Sequence, residues 1–129
     1  MVNPPLILVV DDDLDFLEIF QAKLNASGFQ VAVAHDGAEA YEKAKTQRPD
    51  LVLMDVQMPR VNGVEALLKL KDDPECKDMK VMFLTALGDP RFDAQEIHRR
   101  LAKEIGAVGF LKKEQDLEVL VNRIRTFFQ

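Results

Sequence analysis

Five short apolar runs, each halted by a polar or charged residue, decide what this chain can fold into. They are Leu6–Val10, Val31–Ala34, Leu51–Met54, Val81–Leu84 and Val108–Leu111. A continuous apolar run of this length reads as a β-strand buried on both faces. The segments between them carry apolar residues at helical spacing, which predicts helices over about Leu14–Ala26, Ala38–Thr46, Val64–Lys71, Arg91–Ile105 and Gln115–Phe128. The expected inward stripes are Leu14, Leu17, Phe20 and Leu24 on the first helix, and Val64, Leu67, Leu68 and Lys71 on the third. On the last helix the stripe is Leu117, Leu120, Val121, Ile124 and Phe128. Gly28 and Gly106 stand where a helix needs a left-handed terminator. Strands alternating with helices mean βα units and a parallel sheet covered on both faces. Right-handed crossovers then leave few topologies. The reading is a single doubly wound α/β domain over residues 1–129.

Composition excludes several classes of function. A net charge of −5 and a pI near 5.0 argue against a direct grip on nucleic acid, which needs a basic face. The apolar runs are far too short to cross a membrane, and no basic segment followed by an apolar one opens the chain as a signal peptide would. Cys76 is the only cysteine, so neither an intrachain disulfide nor a cysteine-based zinc site can form. Its charged surroundings predict an exposed thiol. His35 and His98 read as surface or edge residues. These features together predict a cytoplasmic protein.

The polar residues that halt the strands carry the chemistry. Asp11 and Asp12 close the first strand, Asp55 the third and Thr85 the fourth, and Lys113 lies just past the fifth. In an open α/β sheet, ligands bind outside the carboxyl ends of the strands, where the strand order reverses. If the first strand lies beside the third, three carboxylates converge there and repel one another unless a cation intervenes. Oxygen-only ligands in small number suit Mg²⁺. Asp12 and Asp55 are read as direct ligands, the backbone carbonyl of Gln57 as a third, and Asp11 as the holder of a metal-bound water. Aspartate can also act as a nucleophile toward phosphorus. The transition state spreads charge over the equatorial oxygens, so it needs cations and donors nearby. Mg²⁺, the Lys113 ammonium and the Thr85 hydroxyl would supply them, with Asp55 as the residue phosphorylated. The bland readings are a helix cap for the aspartates, above all Asp13, a satisfied hydroxyl for Thr85 and a solvated lysine for Lys113.

Val9-Val10-Asp11-Asp12, Asp55-Val56-Gln57-Met58-Pro59 with Gly63, Thr85-Ala86, and Gly106 through Lys113 together resemble the receiver domain of bacterial two-component response regulators. The resemblance covers nearly the whole chain. It implies a (βα)5 flavodoxin-like sandwich with strand order 2-1-3-4-5. It also implies phosphorylation of Asp55 by a histidine kinase or phosphotransfer protein, autophosphorylation from small donors, and slow self-dephosphorylation, all with Mg²⁺. Beyond acting on itself, the chain would be no enzyme. Thr85 and Phe110 would be the switch residues. They would remodel the face made by the fourth helix, the fifth strand and the last helix, for a downstream effector protein or domain. A homodimer through that face is left open.

The chain departs from the family at three places. Glu114 follows the lysine where the family usually has proline, and Lys112 stands beside Lys113 as a rival. The Thr85–Lys113 segment is several residues longer than usual. Phe110 is often tyrosine in relatives. Other functions fit less well. An interaction module of the same fold, independent of phosphorylation, would not need all five site positions filled. Aspartyl phosphohydrolases typically carry a second aspartate two positions on, where this chain has Gln57. A flavodoxin's phosphate loop would be rich in Ser, Thr and Gly, not triply acidic.

Overall fold

The strand that runs into Asp55 is the middle of the sheet. In the computed structural model, which describes residues 4–56, 63–85, 104 and 106–129, β3 (Leu51–Asp55) is buried along its whole length. It pairs in parallel with β1 (Leu6–Val10) on one side and β4 (Val81–Thr85) on the other. β2 (Gln30–Ala34) adds outside β1, and β5 (Gly109–Lys112) outside β4. The order β2-β1-β3-β4-β5 is the doubly wound, flavodoxin-like arrangement that the resemblance implied. Outside the description lie Gln57, the side chain of Val64, the turn at Gly88–Pro90, His98 and the helix expected over 91–105.

Side chains alternate across a strand, so each run feeds two cores. Leu8, Val10, Val52 and Met54 pack with Ala40 and Ala44 of α2 (Gly37–Gln47) and with Ala66, Leu67 and Leu70 of α3 (Gly63–Asp72). Ile7, Val9, Leu51 and Leu53 pack with Leu17, Phe20 and Leu24 of α1 (Leu14–Ala26) and with Leu120, Val121 and Ile124 of α4 (Leu117–Phe127). Aspartates start three of these helices. Asp13 accepts from the Phe16 N–H, Asp36 from the Glu39 N–H and Asp116 from the Glu118 N–H. Gly28 and Gly106 both take φ +96, the left-handed region that the sequence reserved for them.

Three expectations are corrected. Leu14 is 63% exposed, because the first residue of α1 sits at the rim, before the helix passes over the sheet. On α3 the buried stripe is Ala66, Leu67 and Leu70, whereas Leu68 is exposed and Lys71 is half-buried. The cause is at the helix start: a Cβ on Gly63 would lie 2.5 Å from the Asp55 carbonyl oxygen. Only glycine lets α3 begin this close to β3, and that approach sets which side of the helix faces inward. Lys71 bends back instead, and its ammonium donates to the Lys77 and Met79 carbonyls at 3.0 Å each.

Cys76 is the third correction. Its charged loop folds into tight turns, with the Cys76 N–H donating to Asp73 O and the Met79 N–H to Cys76 O. The thiol is left with no exposure, in the core under α2 and α3. Burial, then the charge of Asp73, pushes it above the usual thiol range. Iodoacetamide at pH 8 should therefore leave native Cys76 unmodified and alkylate it only after unfolding in urea, as read by intact mass.

The same loop is tied to α2 by charge. The Tyr41 hydroxyl donates to Asp73, and Lys45 Nζ lies 3.3 Å from the same carboxylate. The Tyr41 hydrogen bond first, then the Glu75 N–H and Lys45, hold the Asp73 carboxyl below its usual range. A depressed carboxylate stabilises the fold fully above its unfolded pKa of about 3.9 and loses that contribution as pH falls through the lower folded value. Tyr41→Phe should consequently move the acid-unfolding midpoint to higher pH, measured by circular dichroism.

Candidate functional site

All the halting residues within the description fall at one edge of the sheet, because parallel strands end on the same side. Asp11 follows β1 and has no solvent exposure; its N–H donates to Ala34 O at 3.1 Å. Its Oδ1 accepts the Asp13 N–H at 3.0 Å. Its Oδ2 is met by Lys113 Nζ at 2.7 Å, the distance of a charge-assisted hydrogen bond. Asp55, 5% exposed, ends β3 with its Oδ2 3.6 Å from the same ammonium. Asp12 is exposed beside them. Carboxylate oxygens of Asp11, Asp12 and Asp55 lie within 4.8 Å of one another.

Lys113 reaches the cluster because β5 keeps pairing with β4 beyond its last residue. The Lys113 N–H donates to Thr85 O at 2.8 Å, which sets the lysine beside the end of β4. Its side chain is 16% exposed, so it is no solvated surface lysine. Burial alone would lower its pKa, but the hydrogen bond and charge of Asp11, then the charges of Asp55 and Asp13, outweigh it and raise the value. Among the described residues no peptide bond is cis, so Glu114 follows Lys113 through a trans bond.

Thr85 and Phe110 sit on neighbouring strands next to this edge. Thr85 Oγ1 donates to Leu111 O at 3.5 Å, a long bond near the limit of a real interaction. Phe110 is half-buried against the core, its ring 6.0 Å from that of Phe83. Of the three consecutive aspartates, Asp13 alone caps α1, as the bland reading had it. Phe16 was not foreseen. Its ring lies 4.7 Å from Lys113 Nζ. An aromatic one turn into the helix that follows the acidic run was the only signal, and the Phe16–Phe20 spacing reads as core.

The cluster fits a small divalent cation. Its donors are all carboxylate oxygens, hard ligands in small number, and the single Lys113 ammonium offsets only part of the charge of three carboxylates this close.

Comparison with known proteins adds an independent line. The family model of the response regulator receiver domain matches residues 7–125. Response regulator PleD of Caulobacter vibrioides is 40% identical over 120 residues, which is 93% of this chain and 25% of PleD. Response regulator MprA of Mycobacterium ulcerans is 36% identical over 124 residues, 95% of this chain and 50% of that protein. The chain thus spans between a quarter and half of these relatives. Among solved structures, the chemotaxis protein CheY4 of Vibrio cholerae superimposes with a TM-score of 0.83 at 28% identity, covering 95% of this chain and 98% of that one.

Removing the ammonium leaves Asp11 as an uncompensated buried charge. Without divalent cations at pH 7, Lys113→Ala should lose about 3 kcal/mol in urea denaturation. A lysine whose pKa is raised by folding stabilises fully below its unfolded value of about 10.4 and loses that contribution as pH rises through the folded value. The difference between the two proteins should stay level from pH 7 to 9 and shrink only in strong alkali.

Proposed function

The chain belongs to the response regulator receiver family, and from that membership we propose that it is a phosphorylation-dependent switch with Asp55 as phosphoacceptor. Membership itself puts the chain in two-component signalling, where response regulators work with histidine kinases and downstream effectors. The observation that carries the finer reading is the Lys113 ammonium held between buried Asp11 and Asp55, with exposed Asp12 beside them.

In this reading a carboxylate oxygen of Asp55 attacks the phosphorus of a phosphohistidine on a kinase or phosphotransfer protein. The phosphorus–nitrogen bond breaks, imidazole leaves and an acyl phosphate forms. A small acyl phosphate donor reacts equivalently, with a carboxylate leaving. Asp12, Asp55, the Gln57 carbonyl and, through water, Asp11 would hold Mg²⁺; when bound, it offsets charge on the phosphoryl oxygens. Lys113 pairs with a phosphoryl oxygen as a point charge, and Thr85 offers its hydroxyl. Thr85 gives up only a 3.5 Å hydrogen bond to do so. Phe110, already half-buried, follows by turning further in. The result is a small local charge event that biases a two-state surface. β5 and α4 are the described part of the surface that an effector or a second copy would read. The domain acts on its own side chain and on no released substrate, and a cytoplasmic location goes with this reading.

Intact mass after incubation with acetyl phosphate tests it. One added phosphoryl group, dependent on Mg²⁺ and missing in Asp55→Asn, is expected. A chain that binds Mg²⁺ yet gains nothing would instead be an interaction module independent of phosphorylation. Mg²⁺ alone should also raise the thermal midpoint, since a ligand at a hundred times its Kd stabilises by about 2.7 kcal/mol. Asp12→Ala should abolish that rise.

A further inference from the structure

We propose that Phe16 is a positioning residue that holds the Lys113 ammonium at the carboxylate cluster through the face of its ring. The inference rests on the reading of Lys113 as the phosphoryl partner. Among the described residues the ammonium meets Asp11 Oδ2 at 2.7 Å, Asp55 Oδ2 at 3.6 Å and the Phe16 ring centroid at 4.7 Å. A cation within about 6 Å of an aromatic face is attracted by the ring quadrupole, most strongly where water is excluded.

The ring is itself fixed. Asp13 Oδ1 accepts the Phe16 N–H at 3.2 Å, which pins the backbone at the first turn of α1. One turn on, the fully buried Phe20 packs against the ring in a tilted pair, with centroids 5.2 Å apart and an interplanar angle of 36°. Lys113 is secured less well. Its N–H is held by Thr85 O, but Glu114 follows it, and no proline ring restrains the backbone there.

The three neighbours differ in how they respond to the site's chemistry. Both carboxylates change their pull on the ammonium when a divalent cation arrives or when Asp55 gains a phosphoryl group. The ring has no charge to lose. It therefore keeps the lysine stem over the cluster while the ion pairs exchange partners, and spares the side chain from being reordered at each step.

The test compares Phe16→Leu, which keeps apolar contact with Phe20 but has no π face, with Phe16→Trp, which keeps the face; Phe16→Met replaces the leucine variant if that does not fold. Two readouts are used: the chemical shift of the Lys113 ε-methylene, which a ring face displaces upfield, and the rate of Mg²⁺-dependent phosphorylation by acetyl phosphate. The expected result in Phe16→Leu is loss of the upfield displacement and a rate lower by roughly threefold to tenfold, with the Mg²⁺-induced rise in thermal midpoint kept. Phe16→Trp should restore both, and in a Lys113→Gln background Phe16→Leu should slow nothing further. An unchanged Lys113 shift in Phe16→Leu overturns the proposal, as does an equal slowing in the Lys113→Gln background, which would make Phe16 a packing residue. A wild-type rate in Lys113→Gln overturns the assigned role of Lys113 instead. The shift then still decides whether Phe16 holds it.

Discussion

Three carboxylates whose oxygens gather within 4.8 Å repel one another, and one lysine makes that tolerable. Lys113 is the charge that lets a sheet with two apolar faces end on Asp11 and Asp55, both of them buried. The chain spends considerable structure on bringing it there. β5 must pair with β4, and β4 with β3, before the residue after β5 can reach the residue after β1. An ion pair between positions so far apart in sequence forms only once the whole parallel order is in place. The site is thus a product of the complete fold and not of any one βα unit.

Much of this was legible in the sequence, because the strongest signals are local. The apolar runs marked every strand to within about a residue, and Asp13 and Gly28 marked where α1 starts and stops. What failed was rotation and depth. The periodicity of α3 allowed a stripe through Leu68 and Lys71, but the contact of Gly63 with the Asp55 carbonyl turned Ala66 and Leu70 inward instead. Cys76 sits among charges in sequence and among apolar groups in space, since two backbone hydrogen bonds fold its loop under. Lys113 could not be told from a surface lysine by pattern, and Phe16 was hidden by its regular spacing with Phe20. Each of these depends on which distant element a residue meets.

The groups near the site differ in how firmly they are held, and the difference runs along the sheet. Asp11 and Lys113 are joined by a 2.7 Å ion pair in a buried place, whereas Thr85 has one long hydrogen bond and Phe110 only partial burial. Groups with little to lose are the ones that can have two positions of similar energy. In the switch proposed above, the firmly held half of the edge would carry the chemistry and the loosely held half would report it, with β4 and β5 joining the two.

The run Asp11-Asp12-Asp13 gives three identical residues three separate environments: one buried against an ammonium, one open to solvent, one capping a helix. Deleting any one of the three produces the same shorter protein, whichever codon is lost. That protein has two aspartates for three tasks. It must also either pull α1 back by one residue, which turns the helix by about 100°, or leave one task undone. A stretch that looks like the most repetitive and dispensable part of the sequence is therefore the part with no spare copy, and its length is held as tightly as its composition.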